Sequence, residues 1–272
     1  MRRVKRLGWV VVSSRLITVI AVAVASGLVL HKQQSIQPAY ANTGTDETNF
    51  TTIALAAQRK AEATTKKPVN CLQAACLALS FDDGPDPRTT PQLLQALEEE
   101  QVHATFFVIG NKVAGHETLL RHIYNDGNEI GNHSWSHADF TKLKPEQMIE
   151  QINATQNVVV AAGLPPPRLF RPPYGNRNQA TRDTIQLPII LWNIDPRDWH
   201  ETDPAKVVSA IESQARGGGI MILHDSHAPT AAAARQFIHD LKNKYQLVTV
   251  SELLQLSPDA HGEFFGHPLA SE

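Results

Sequence analysis

Leu77-Ala78-Leu79-Ser80-Phe81-Asp82-Asp83-Gly84-Pro85 is a short apolar run that ends in two adjacent carboxylates and a Gly-Pro turn signal. A run of this length bounded by a turn reads as a buried strand. Successive side chains of a regular strand point to opposite faces, so Asp82 and Asp83 can serve one site only if the strand breaks there. Gly84-Pro85 supplies that break. Taken alone, an Asp-Asp-Gly-Pro turn is more often just a solvated turn, and its meaning depends on what surrounds it.

Outward from it, β-rich runs at 77–81, 104–108, 129–132, 169–171, 189–192, 219–223 and 246–250 alternate with segments of helical period. Thr90 and Pro91 read as N-cap and first residue of a helix with Leu93, Leu94 and Leu97 on one side, and 145–162, 204–215 and 231–244 have similar character. Seven β/α units in series predict an α/β fold: a distorted (β/α)7-type barrel of parallel strands with outer helices, or alternatively an open doubly wound sheet. Asp82 and Asp83, His133, Arg171, Asp195 and Asp198, and His224 with Asp225 all fall at carboxyl ends of strands. In a parallel barrel these ends meet on one face, where active sites are built.

His133-Ser134-Trp135-Ser136-His137 places two imidazoles at i and i+4. On a helical turn they share a face, with Cβ atoms about 5–6 Å apart. That is close enough for both to bind one metal ion at about 2.0–2.1 Å, and a third, carboxylate ligand would leave positions open for water and substrate.

Five segments in order, Ser80-Phe81-Asp82-Asp83-Gly84-Pro85, His133-Ser134-Trp135-Ser136-His137, Arg171-Pro172-Pro173-Tyr174, Asp195-Pro196-Arg197-Asp198-Trp199 and Leu223-His224-Asp225, resemble the motifs of the polysaccharide deacetylases, the NodB-homology or carbohydrate esterase family 4 group. The resemblance covers 77–256; Ser80 stands where Thr is commoner. It implies that Asp83, His133 and His137 hold a divalent metal, Zn²⁺ or else Co²⁺, and that Asp82 is the base for the attacking water. It further implies that His224 protonates the leaving amine, Arg171 orients the base, and Asp198 pairs with His224. The backbone N–H of Tyr174 would stabilise the developing oxyanion, and Trp199 and Leu223 would line the acetyl pocket. The implied reaction is N-deacetylation of an amino-sugar polymer, peptidoglycan first, with chitooligosaccharides or acetylxylan as alternatives. A glycan-binding envelope protein is the non-enzymatic alternative.

The rest of the 272 residues sets the context. With 42% hydrophobic and 19% charged residues the chain can bury a core. A net charge of -2 without a basic and aromatic stripe excludes nucleic acid as a partner. Arg2, Arg3, Lys5 and Arg6 precede an apolar stretch, so 1–30 reads as a signal peptide, cleaved near Ala39-Tyr40-Ala41, or as a membrane anchor. Either places the protein outside the cytoplasm, secreted, periplasmic or anchored. The polar segment 31–69 reads as a linker, 70–257 as the catalytic domain and 258–272 as an extended tail. Cys71 and Cys76 could close a small disulfide loop or remain two thiols. Of the other histidines, only His227, close to His224, stands near the expected cleft.

Overall fold

The computed structural model describes residues 69–71, 74–257 and 259–267. The leader and the linker up to residue 68 lie outside the described residues, among which no helix is long and apolar enough to cross a membrane.

The strand that opens the domain, β1 (Cys76–Gly84), lies at its centre. One edge pairs in parallel with β5 (Gly219–His224). The other pairs first with β6 (Gln246–Val248) through Cys76, Leu77 and Ala78, and then with β2 (Thr105–Val108) through Ser80 to Gly84. On the far side of β2 lies β3 (Glu129–Asn132), also parallel. Beyond β3 the described residues continue the ring through isolated bridges, the parallel ones Asn132 to Phe170, Phe170 to Ile189 and Ile194 to Met221 and the antiparallel Gly219 to Gly266, and through one two-residue ladder. The fold is therefore the expected parallel (β/α) arrangement, but its ladder does not close into a complete barrel. Proline explains the gap: Pro165, Pro166, Pro167, Pro172, Pro173 and Pro188 flank these segments, and proline cannot donate to a ladder. The expected strand 169–171 shrinks to the single bridging residue Phe170, and 189–192 to β4 (Ile189–Ile190).

Two other expectations are corrected. The strand expected over 246–250 ends at Val248, because Thr249 caps α8 (Val250–Leu254) in a reciprocal bond pair with Glu252. The tail, expected as coil, contributes β7 (Glu263–Phe264), which pairs in parallel with β4. Its Glu263 receives bonds from Arg177 at 3.0 Å and from Arg182 at 2.9 Å on α5 (Gln179–Thr184).

Alternation along β1 shows why the opening run is apolar throughout. Leu77, Leu79 and Phe81 pack outward with Leu93 and Leu97 of α1 (Thr90–Glu100), Val207 and Ile211 of α6 (Pro204–Gln214), and Phe237 and Leu241 of α7 (Ala228–Lys242). Ala78 belongs to a second cluster with Phe107, Ile190, Ile220 and Val248. A strand buried on both faces needs apolar residues on both. Cys71 and Cys76 are joined by a disulfide with Cα atoms 5.3 Å apart, which resolves the two open readings of that pair and ties residues ahead of β1 to its first position.

Candidate active site

The break that brings the two carboxylates together lies one residue earlier than expected. Asp82 pairs with Phe107 and Gly84 with Val108, so Asp83 is the extra residue of a β-bulge, at φ 76°. A bulge re-aims a side chain, and Asp is among the residues that tolerate positive φ best. Gly84 is required for a different reason: a Cβ there would fall 1.9 Å from the Asp225 carboxylate.

His133 and His137 lie in the loop after β3, not on a helical turn as expected. The loop turns back through positive φ at Ser134 and His137. Ser134 N–H donates to Asn132 Oδ1 at 2.8 Å and His137 N–H to Ser134 Oγ at 3.0 Å. Gln151, on α4 (Pro145–Ala161), accepts the Trp135 and Ser136 N–H groups. The two rings come to 5.0 Å between centroids.

Asp83 Oδ1 lies 3.5 Å from His133 Nε2 and 3.2 Å from His137 Nε2. Two atoms each about 2.0–2.1 Å from a shared tetrahedral centre are about 3.3–3.4 Å apart, so these spacings fit one ion. The donor state fits too. Asp83 Oδ1 is buried without a hydrogen-bond partner among the described residues. His133 Nδ1 is 2.8 Å from the Arg171 carbonyl, which can only accept, so Nδ1 carries the hydrogen and Nε2 presents its lone pair. Burial pulls the His133 pKa down to about 3, which keeps the ring neutral.

Asp82, on the other side of the bulge, is buried and bound to Arg171 Nη1 at 2.7 Å, with its Oδ2 3.6 Å from His133 Nε2. Arg171 is wholly buried, and four of its five N–H groups donate to acceptors around it. Nη1 also reaches Ser80 Oγ at 2.8 Å, Nε the Ile190 carbonyl at 3.1 Å and Nη2 that of Leu191 at 3.2 Å, with the Phe107 ring 4.1 Å away. Burial raises the Asp82 pKa against the pull of Arg171, making its carboxylate a stronger base than an exposed one.

His224 Nδ1 is 2.8 Å from Asp198 Oδ1, which leaves Nε2 to face outward from the pair. Asp198 is buried, and its Oδ2 accepts the His224 N–H at 2.8 Å and the Thr230 hydroxyl at 2.6 Å. Burial opposes a charged His224 ring, but the hydrogen bond and charge of Asp198, with the charges of Asp82 and Asp83, outweigh it and raise the pKa to about 9.

Tyr174, at φ 60° and 65% exposed, sets its ring edge-on to His137 with centroids 4.5 Å apart, which puts its side chain beside the cluster. Trp199, 54% exposed, follows Asp198 at the surface. Leu223 is not at the site. It is fully buried in the outward-facing core with Leu79, Phe81 and Phe237. Alternation on β5 instead gives Ile222 the face of His224. Leu223→Ala is accordingly expected to cost about 2–5 kcal/mol in a denaturant titration, the range for a core leucine, without altering metal binding. His227 Nε2 is 2.7 Å from the Glu201 carbonyl. Asp195 accepts the Arg197 N–H at 2.9 Å and so shapes the loop that carries Asp198.

Sequence reading missed Ser80, which braces Arg171, Thr230, which braces Asp198, and Ile222. Only Ser80 and Ile222 carried a signal, since each lies two residues from a site residue on the same strand and shares its face.

Residues 70–187 match the family described as "Polysaccharide deacetylase". The peptidoglycan-N-acetylmuramic acid deacetylase PdaC of Bacillus subtilis (strain 168) is 42% identical over 179 residues, 65% of this chain and 38% of that protein. A peptidoglycan-N-acetylglucosamine deacetylase of Bacillus cereus is 35% identical over 188 residues, 66% of this chain and 88% of that protein. Among solved structures, a family 4 acetyl xylan esterase from Clostridium thermocellum, in complex with a cobalt ion, matches with a TM-score of 0.66 at 32% identity over 71% of this chain and 100% of that one. The chain thus spans well under half the length of the B. subtilis protein, 38%, and most of the B. cereus protein, 88%. With its motif segments gathered on one face of a parallel (β/α) fold and these likenesses in sequence and structure, the chain belongs to the polysaccharide deacetylase family.

Proposed function

We propose that the protein is a divalent-metal-dependent hydrolase that removes N-acetyl groups from a GlcNAc-containing glycan, peptidoglycan first. The observation that carries the reading is the orphaned, buried Asp83 Oδ1, which converges with two imidazole nitrogens between a base held by Arg171 and a histidine held by Asp198. Asp83, His133 and His137 would hold the ion, and for an Asp-His-His set Zn²⁺ is the first choice and Co²⁺ the second. Such an ion, when bound, lowers the pKa of coordinated water and polarises an acyl oxygen.

The chain's own groups do the rest. Asp82 takes the proton of the attacking water, and Arg171 keeps that carboxylate aimed. The Tyr174 N–H donates to the oxygen on which charge develops. His224 gives a proton to the nitrogen as the C–N bond breaks, while Asp198 fixes its tautomer and sustains its charge. Trp199 and Ile222 line the acetyl pocket, Ile222 in the place first expected of Leu223. A leader and polar linker suit work outside the membrane, with the protein either released or anchored. The B. subtilis relative, by name a peptidoglycan deacetylase and 42% identical, supports peptidoglycan as the first substrate to test.

Release of acetate from purified peptidoglycan, chitooligosaccharides and acetylxylan, measured in parallel with and without chelator, tests the reading. Peptidoglycan is expected to yield acetate fastest, chelation to abolish release, and Zn²⁺ or Co²⁺ to restore it. Unchanged turnover in metal-stripped protein would overturn the mechanism. No acetate from any of the three would favour the glycan-binding alternative.

A further inference from the structure

The bulge that aims Asp83 leaves three consecutive carbonyls, those of Asp82, Asp83 and Gly84, at the rim of the site, and each has a donor from a different part of the fold. The Asp225 N–H reaches Asp82 O at 3.1 Å, and the Ile109 N–H reaches Gly84 O at 2.8 Å. Both are backbone groups and would persist whatever side chains stood there. The carbonyl of Asp83, which as the bulged residue has no place in the ladder, instead accepts the Lys112 ammonium at 2.8 Å. It is the only side-chain donor of the three.

Lys112 sits on the single helical turn α2 (Gly110–Val113), which also touches the other ligand-bearing segment: the Gly110 and Asn111 N–H groups donate to the carbonyls of Ser134 and Trp135 at 2.9 and 3.0 Å. One short element thus braces both the Asp83 bulge and the His133–His137 loop. Asp83 at φ 76° is a strained conformation of the kind that persists only where its surroundings over-determine it. Rotation of its peptide would swing the side chain away from the two imidazoles.

We propose that Lys112 is a positioning residue for Asp83, whose ammonium fixes the bulged peptide and so aims the carboxylate at the ring nitrogens of His133 and His137. The inference rests on the metal-dependent reading above. It concerns the assembly of the ligand set and not the chemical step, so it can be read without turnover.

The sign of the effect separates positioning from simple charge. Lys112 is a cation near a site for a dication, so if it acted through charge alone, removing it would tighten metal binding. If it positions Asp83, removing it weakens binding. The test is the Zn²⁺ affinity of the full-length protein, measured in competition with a chromophoric chelator, for wild type and K112M, with the visible spectrum of the Co²⁺ form as a second readout. K112M is expected to bind Zn²⁺ about 10–100-fold more weakly, the range for loss of a group that orients a ligand, with an altered Co²⁺ spectrum and an unchanged urea midpoint in the metal-free state. Affinity equal to or tighter than wild type, with the same Co²⁺ spectrum, would overturn the inference and leave the proposed function standing. Should K112M fail to fold, K112A repeats the measurement with the same two outcomes. A wild type that binds no divalent ion would overturn the metal reading and this inference together.

Discussion

Asp82→Asn is expected to keep its metal and lose about 10²–10⁴-fold in kcat, the contribution of a general base, whereas Asp83→Ala is expected to lose metal and activity together. The two residues are neighbours in sequence, and the bulge at Asp83 separates their tasks. Asp83 Oδ1 meets the imidazole nitrogens at ligand spacing and has no hydrogen-bond partner among the described residues, so its deletion removes a ligand together with one of the charges that raise the His224 pKa. Asp82 is tied to the wholly buried Arg171 at 2.7 Å. Truncating it to alanine would strand a buried guanidinium, at a cost of about 3–5 kcal/mol for a broken buried pair, and would confuse a folding defect with a catalytic one. Asparagine keeps the shape and an oxygen for Arg171 Nη1 while removing basicity. Metal content by elemental analysis, alongside kcat on a peptidoglycan or chitooligosaccharide substrate, decides the matter. Equal metal loss in Asp82→Asn and Asp83→Ala would refute the division of labour.

What sequence could show of this site follows the range of the interactions involved. The β1 run was legible because both faces of the strand are buried, which forces an apolar residue at every position from Leu77 to Leu79. The turn into α8 was legible in principle as well, since Thr249 and Glu252 form a local reciprocal cap with a fixed spacing. The histidine pair was found by a spacing that suits a helix, yet a loop with positive φ at Ser134 and His137 brings the rings together. The ligand set survived the wrong local geometry because two imidazoles need only converge, by whatever backbone path. Leu223 shows the opposite failure: its neighbour His224 is in the site, but a strand alternates, and that rule applied to β5 selects Ile222. Long-range hydrogen bonds had no signature at all. Thr230 to Asp198 and Lys112 to Asp83 join different elements, and nothing in either residue's local sequence announces its partner.

His224→Ala, with metal still bound, is expected to lose far more activity on an N-acetyl sugar than on an activated aryl acetate, and Asp198→Asn to show a weaker form of the same bias. An amine leaves poorly unless it is protonated as the C–N bond breaks, while an aryl oxide departs without help. A positioned acid therefore matters mainly for the amide. The geometry gives His224 the means to be that acid, because Asp198 occupies Nδ1 at 2.8 Å and leaves Nε2 for the leaving group. The electrostatics supply the proton: burial alone would depress the ring's pKa below its ordinary value, and Asp198, with Asp82 and Asp83, carries it instead to about 9. A raised pKa means that the protonated form survives to higher pH and is lost as pH climbs through the raised value. Replacing Asp198 by asparagine removes the leading upward contribution, so the alkaline limb of amide hydrolysis should move to lower pH, with the aryl acetate profile moving less. The measurement is the ratio of kcat/KM on the two substrates across pH for wild type and both variants, with metal content determined in each. An equal fall on both substrates in His224→Ala would show that the ring does not act as the acid and would reassign it to stabilising negative charge at the acyl oxygen, where amide and ester make the same demand.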